Sequence, residues 1–197
     1  MGELLLFLLV AGAALAVGRA RGGVLRGLLE SGIKARWLAL GCLVVQAAVV
    51  AVPMPGIGGV VLLVAAMATL LGVARANGRL PGVPLLALGL LLNLTVVVAN
   101  LGMPVPPATL ERAGITLEQP PPDRPDAKHV LDRGQARLGL LGDRLAVRPL
   151  RTVTAYGTVI ELAGLFLLLQ ALVRGREDGT AHGAHEARTV PWTTWAE

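Results

Sequence analysis

Positive charge is missing from the long apolar stretches of this sequence. Four windows contain no lysine or arginine at all, and a fifth carries only an acidic residue at its start; they are residues 37–52, 60–74, 83–101, 153–173 and 3–17. Each window is long enough, or nearly long enough, to cross about 30 Å of hydrocarbon at about 1.5 Å per residue. A soluble domain would alternate apolar and polar residues to make a surface, so little of the chain is left for a soluble core.

Other residue types are scarce too, and each scarcity excludes a class of function. The single cysteine, Cys42, excludes an intramolecular disulfide. The windows hold no histidine, which excludes haem b bound between spans. Aromatic residues make up 3%, which provides poorly for a quinone or nucleotide site. The phosphate loop, nucleophile elbow and zinc-protease motifs are also missing, so the sequence favours a non-enzymatic role with no cofactor and no metal.

The basic residues that are present give an orientation. They crowd the short segments 18–36, 75–79 and 174–176, which the positive-inside rule places in the cytoplasm. The sequence therefore predicts an all-α, polytopic membrane protein with five transmembrane helices, an outer N-terminus and an inner C-terminus. One membrane domain, 1–173, includes a small extracytoplasmic cap at 102–150, and a polar tail follows at 174–197.

The same charges bear on location and partners. The net charge of +5 is explained by contact with lipid headgroups at the span ends, so the expected partner is the bilayer and not nucleic acid. The bias towards arginine over lysine suits a GC-rich bacterial genome, and we expect the bacterial plasma membrane. The leucines at 138–145 need an apolar surface, so residues 126–150 should dock over the outer span ends.

Polar side chains recur inside the predicted spans. Gln46, Thr69, Asn93 and Glu161 lie very roughly 9–14 Å from the outer ends at 1.5 Å per residue. Asn100 follows Asn93 by seven residues and shares its helix face. These residues are either hydrogen-bonding contacts between helices or a candidate intramembrane polar site.

Glu161 is the sharpest of these candidates, because an acid in hydrocarbon costs about 2.5–3.5 kcal/mol. No predicted span offers a cation to pair with it. It must be protonated, hydrogen-bonded to an amide such as Asn93 or Gln46, or reached by an arginine from the outer segment. Proton relay or ligand binding is the functional interpretation, and a structural acid is the alternative. In either case its side chain should face the other helices and not lipid.

The outer segment holds three further polar candidates. His129 and Asp132 have an i, i+3 spacing that fits a metal half-site or a catalytic pair, although a local hydrogen bond explains it equally simply. Asp143 is the third candidate of the cap. No further histidine or cysteine lies nearby to complete a metal site.

A set of short motifs resembles a known family. The residues concerned are Asn93 and the motifs RLPG at 79–82, NLGMPV at 100–105, HVL at 129–131 and LGD at 141–143. This pattern resembles a bacterial integral-membrane family, domain of unknown function 5317, over roughly residues 1–173. The family pattern has two leucines before an acidic residue where this chain has Leu131-Asp132. The resemblance implies several membrane spans and no activity.

Two functions remain open from the sequence. The first is a protein that acts by association, as an accessory or scaffold subunit of a membrane complex or as a homo-oligomer. The small residues at Ala14–Gly18 and Ala68–Gly72 favour it, because they permit close helix contact. The second is a small-molecule or proton-handling transporter or membrane enzyme centred on Glu161 and Asn93. An open cleft reaching Glu161 would favour the second, and a packed Glu161 the first.

Overall fold

The computed structural model describes residues 2–23, 32–52, 57–116, 123 and 128–174. Within these residues the protein is mostly helical. Its elements in chain order are α1 (Gly2–Ala20), α2 (Arg36–Ala51), α3 (Gly58–Ala76), α4 (Val83–Asn100), β1 (Met103–Val105), α5 (Pro107–Arg112), β2 (His129–Leu131), a 3-10 turn (Gly139–Leu141), β3 (Leu145–Val147), a second 3-10 turn (Arg148–Leu150), β4 (Thr152–Thr154) and α6 (Tyr156–Arg174).

Four of the helices are long and apolar enough to cross a membrane. These are α1, α3, α4 and α6, with 18 or 19 residues each. They coincide with four of the five predicted spans and suggest a membrane-associated protein. The fifth predicted span is α2, which is apolar but has 16 residues, or about 24 Å at 1.5 Å per residue. It falls short of the roughly 30 Å of a hydrocarbon core.

The expectation of an all-α fold is wrong in the segment between α4 and α6, which we call the connector (residues 101–155). It forms two small sheets, β1 parallel to β2 and β3 antiparallel to β4. Residues 152–154 (TVT) belong to β4, so α6 begins at Tyr156 and not at 153. The β-branched residues of this stretch fit an extended strand better than a helix.

The helices pack as a row in the order α2, α3, α4, α6, α1. The most extensive contact joins α4 to α6, so α1 and α2 lie at opposite ends of the row. Residues from α2, α3 and α4 share one apolar core with Met103 and Ala155 of the connector. The connector also has a small core of its own, made of Val105, Leu110, Ala113, Leu131 and Val153.

The connector docks on the helix ends, as expected, but not through all its leucines. β1 and the first 3-10 turn contact α4, while β4 and the second 3-10 turn contact α1. Leu141 packs against the main core. Leu138 and Leu140 are 49% and 79% exposed, so the prediction that they are covered is wrong. Residues 117–122 and 124–127 of the predicted cap and 175–197 of the predicted tail lie outside the described residues.

Candidate functional site

Four glycines bring α4 and α6 into close contact, and we call this contact the glycine seam (Gly82, Gly89, Gly157 and Gly164). The glycines of each helix region are seven residues apart and therefore lie on one face. A Cβ atom added at Gly164 would lie 2.5 Å from the amide nitrogen of Leu86 and 2.7 Å from the carbonyl oxygen of Gly82. The two backbones thus approach more closely than any side chain allows, as small residues permit between membrane helices.

Three polar side chains meet within the glycine seam, and we call them the seam cluster (Asn93, Thr158 and Glu161). The Asn93 amide nitrogen donates to Oε1 of Glu161 over 2.8 Å and to Oγ1 of Thr158 over 3.1 Å. Asn93 and Thr158 are buried, and Glu161 is partly buried. The predicted contact between Glu161 and Asn93 is therefore confirmed, with the carboxyl group turned towards α4.

The glycines make the room that the seam cluster occupies. A Cβ atom at Gly89 would lie 2.7 Å from Cγ of Glu161, and one at Gly157 would lie 2.7 Å from Cγ of Asn93. Oδ1 of Asn93 is buried and has no hydrogen-bond partner, and it sits against the Gly157 backbone. Asn93 thus directs both of its polar contacts to α6 through its amide nitrogen, and the packing leaves no space for a side chain beside it.

A cation from the connector lies near Glu161. Nζ of Lys128 is 2.7 Å from both carboxylate oxygens of Glu3 at the start of α1, and 4.0 Å from Oδ2 of Asp143. Lys128 is 8% exposed, and both Lys128 and Glu3 are close enough to Glu161 to act on it electrostatically. Of the alternatives that the sequence left open for Glu161, the contact found is the one with the Asn93 amide.

The polar candidates of the connector form other pairs than the one that their spacing in the sequence suggested. Nε2 of His129 lies 2.8 Å from Oδ2 of Asp143, which is fully buried. Asp132 instead accepts a hydrogen bond from Nη2 of Arg144 over 3.2 Å and another from the amide of Gly134 over 2.8 Å. The proposed local pair of His129 with Asp132 is wrong because β2 is extended, and residues three apart on a strand point to opposite faces.

The structure separates Gln46 and Thr69 from the seam cluster. The Thr69 hydroxyl donates to the carbonyl oxygen of Ala65, one turn earlier in its own helix. Gln46 lies on α2, which packs mainly against α3 and is separated from α6 by α3 and α4 in the row. A similar predicted depth does not make these residues neighbours, because depth carries no information about which helices are adjacent.

Asn100 fastens the connector to α4 and is not part of the seam cluster. Its amide nitrogen donates to the carbonyl oxygen of Arg137 over 2.7 Å, and its Oδ1 accepts from the Arg137 amide over 2.8 Å. Asn77, after α3, holds Lys34 in the same two-sided way, over 3.0 and 2.8 Å. We call Asn77 and Asn100 the two backbone clamps.

Several residues of this arrangement are absent from the sequence-based candidates. Thr158 had a detectable signal, because it lies one helical turn before Glu161 on the same face. Gln170 donates to the carbonyl oxygen of Ala14 over 2.8 Å and holds α6 against the small residues of α1. Glu3 and Lys128 are 125 residues apart in the chain, and their pairing depends on the fold.

His129 and Asp143 are side chains of types that bind metal ions, and both lie in the described part of the chain. Within it, no group of three or more histidine, cysteine or acidic residues is placed to hold a metal ion. The histidine–aspartate pair of the connector has the Lys128 ammonium beside it, and a cation there opposes a metal ion by charge repulsion.

Of the three comparisons with known proteins, the one against protein families gave a match. Neither the curated proteins nor the solved structures gave a match to this chain. A family described as a family of unknown function, DUF5317, matches residues 30–170, which span α2 to α6 and include the glycine seam, the seam cluster and the connector. Because this match covers well over half of the 197 residues, the chain belongs to the DUF5317 family.

Proposed function

We propose that this chain is an integral membrane protein that acts by association, as an accessory or scaffold subunit of a membrane complex or as a homo-oligomer. The observation that carries the proposal is the packing of Glu161. It is hydrogen-bonded to Asn93 and enclosed on the α4 side by the glycine seam. The most unusual intramembrane residue thus has a structural partner, and the seam cluster serves to join α4 to α6.

An uncovered helix face supports association as the role. On α3, Ala65, Ala68 and Gly72 are exposed at helical spacing. Beyond the local backbone of α3, no atom of the described residues lies within 4 Å of a Cβ added at Gly72. Of the two small-residue pairs in the sequence, Ala14–Gly18 packs against α6, whereas Ala68 and Gly72 are both exposed among the described residues. Small residues let a second helix approach closely, so this face suits a further helix better than it suits lipid.

Bulky side chains on this face are expected to prevent association. We predict that Ala68→Leu with Gly72→Leu reduces the protein to a monomer of 20.4 kDa, while helical content stays unchanged. Light scattering in detergent and crosslinking in native membranes measure the two states. Gly12→Leu is the matched control, since a Cβ atom added at Gly12 also meets no described atom within 4 Å beyond the local backbone of α1. A wild-type protein that is monomeric and uncrosslinked in both assays would contradict the proposal.

The membrane arrangement is part of the proposal. We infer that α2 is a fifth, short span, that the N-terminus and the connector lie outside the cytoplasm, and that the C-terminus lies inside. The distribution of basic residues supports this orientation, because ten of the eighteen then lie on the cytoplasmic side, in short loops and the tail. The bacterial plasma membrane is the membrane that we propose.

Cysteine accessibility tests this orientation. In a Cys42→Ala background, an impermeant thiol reagent added to intact cells should label Thr116→Cys in the connector and leave Gly32→Cys unlabelled. Gly32→Cys should react once the cells are opened. Labelling of Gly32→Cys in intact cells, with Thr116→Cys protected, would reverse the proposed orientation.

A second candidate function is proton or small-molecule handling at Glu161. The observation that favours it is the position of Lys128 and Glu3, which extend the ionisable groups from the connector towards the seam cluster. Such a chain of groups is one way in which membrane proteins pass protons. The Glu161 carboxyl group would then change its charge during function, and Asn93 would hold it in place.

Glutamine at position 161 separates the two functions. Glu161→Gln keeps the shape of the side chain and its contact with Asn93, so we predict a loss of unfolding free energy of no more than about 1 kcal/mol, near the average of about 0.6 kcal/mol for such a hydrogen bond. Thermal unfolding in detergent measures this loss. Under the association proposal, crosslinking is unchanged. Loss of proton uptake in liposomes by a folded variant would instead support the second candidate.

A further inference from the structure

Three arginines of the connector line an open cleft of about 480 Å³. They come from separate elements: Arg112 from the end of α5, Arg144 from the residue before β3, and Arg148 from the second 3-10 turn. The remaining lining residues are Leu145 and Ala146, so this cleft has no acidic residue in its wall. This cluster takes no part in the glycine seam or in the proposed association face.

Two of the three guanidinium groups are already held in place. Arg112 donates through Nε to the carbonyl oxygen of Ala108 over 3.1 Å and through Nη2 to the hydroxyl of Thr109 over 3.0 Å. Arg144 donates through Nε to the carbonyl oxygen of Gly139 over 2.7 Å and through Nη2 to Asp132 over 3.2 Å. Since a guanidinium group has five N–H donors, each keeps donors for a ligand without a large cost in side-chain ordering.

The positive charge of the cleft is only partly balanced by its contacts. Asp132 pairs with Arg144, whereas Arg112 is held by neutral oxygen atoms and Arg148 is exposed. Glu111 precedes Arg112 on α5. The three arginines are therefore accompanied by two acids, Asp132 paired with Arg144 and Glu111 next to Arg112 in the chain. Each guanidinium group is planar and can bind two oxygen atoms of a carboxylate or phosphate group at once, so three of them suit such an anion.

Two exposed leucines are the chain neighbours of the residue that holds Arg144, one of the arginines of the cleft. Leu138 and Leu140 flank Gly139, whose carbonyl oxygen holds Arg144, and they are 49% and 79% exposed. A lipid presents a phosphate group next to hydrocarbon, and a site for it needs cationic and apolar groups side by side. A soluble phosphate would need only the arginines.

We propose that Arg112, Arg144 and Arg148 form a binding site for a phosphate group, carried by the headgroup of an anionic phospholipid. The guanidinium groups bind the phosphate oxygens, and Leu138 and Leu140 contact the start of the acyl chains. The three arginines could bind a free phosphate as well as a lipid phosphate. The two leucines favour the lipid, because only the lipid brings acyl chains for them to contact.

Ligand-induced shifts in thermal unfolding of the full chain in detergent test the site. The probes are short-chain phosphatidylglycerol, short-chain phosphatidylcholine and inorganic phosphate. We expect phosphatidylglycerol to raise the midpoint, and Arg148→Gln to weaken its binding about tenfold, the scale of one charge-assisted hydrogen bond. Arg148 is exposed, so this variant should fold normally, which circular dichroism checks. Arg133→Gln is the charge-matched control, because Arg133 is 58% exposed and pairs with the exposed Asp123.

Each outcome decides between the possibilities. Binding of phosphatidylglycerol that Arg148→Gln weakens and Arg133→Gln does not supports the lipid site. Equal binding of inorganic phosphate, unaffected by Leu138→Ser with Leu140→Ser, keeps the arginine site but overturns the lipid as its occupant. Equal binding of phosphatidylcholine, or equal loss in Arg148→Gln and Arg133→Gln, overturns the site altogether.

Discussion

Alanine at position 164 is expected to destabilise the protein strongly although it adds a single methyl group. The new Cβ atom would lie 2.5 Å from the Leu86 nitrogen and 2.7 Å from the Gly82 oxygen, and both are backbone atoms of the facing segment. A backbone cannot rotate away as a side chain does, so α4 and α6 must separate. Overpacking costs about 1–3 kcal/mol in well-packed proteins, and we expect at least the upper part of that range. Thermal unfolding in detergent measures it.

A second glycine provides the matched control for this prediction. Gly12 lies on α1 with nothing within 4 Å of an added Cβ atom. Gly12→Ala should be neutral or slightly stabilising, because alanine favours a helix over glycine by about 1 kcal/mol. The two variants carry the same chemical change, but only Gly164→Ala should lower the midpoint. Equal tolerance of both would show that the glycine seam does not hold α4 to α6.

Removal of the Asp143 carboxyl group is expected to release the connector from the helix ends. Asp143 is fully buried, accepts from or pairs with His129 at 2.8 Å and lies 4.0 Å from Lys128. Asp143→Ala removes the anionic partner of His129, whereas Lys128 keeps Glu3. Breaking a buried pair by removing one partner typically costs about 3–5 kcal/mol. We expect a lower unfolding midpoint and faster protease cleavage between residues 128 and 155. Both are measured on the purified protein.

The control for Asp143 is an acid of the same segment on the surface. Asp123 pairs with Arg133 at 3.0 Å, but its side chain is 86% exposed. Exposed ion pairs contribute about 0–1 kcal/mol, so Asp123→Ala should change neither the midpoint nor the cleavage rate noticeably. A similar effect of the two variants would mean that burial of the Asp143 carboxyl group is not what anchors the connector.

The sequence was sufficient to locate the long apolar helices and one contact between them. Charge is costly in hydrocarbon, so stretches free of lysine and arginine located α1, α3, α4 and α6 to within a few residues. The same cost predicted the contact between Glu161 and Asn93, since an acid in a span requires a polar partner. Family membership also followed from short motifs around the connector and α4.

Other contacts that depend on which segments become neighbours were not predictable. β1 pairs with β2 across 26 residues of chain, with Met103 opposite His129, and three-residue strands give no periodic signal. Gln46 has a similar depth to Asn93, yet the helix order places it beside α3. Lys128 and Glu3 meet only because the connector folds back over the start of α1.

The two backbone clamps have a consequence for how this protein tolerates change. Asn77 binds the N–H and C=O groups of Lys34, and Asn100 binds those of Arg137. These hydrogen bonds involve only the backbone of the bound residue and not its side chain. Lys34 and Arg137 can therefore be replaced by many residues without loosening the attachment, proline excepted, since it has no N–H. The clamps themselves accept no aspartate, because a carboxylate cannot donate. The segments of Lys34 and Arg137 are thus attached through their backbone at one position each. Their side chains are therefore free to change during evolution.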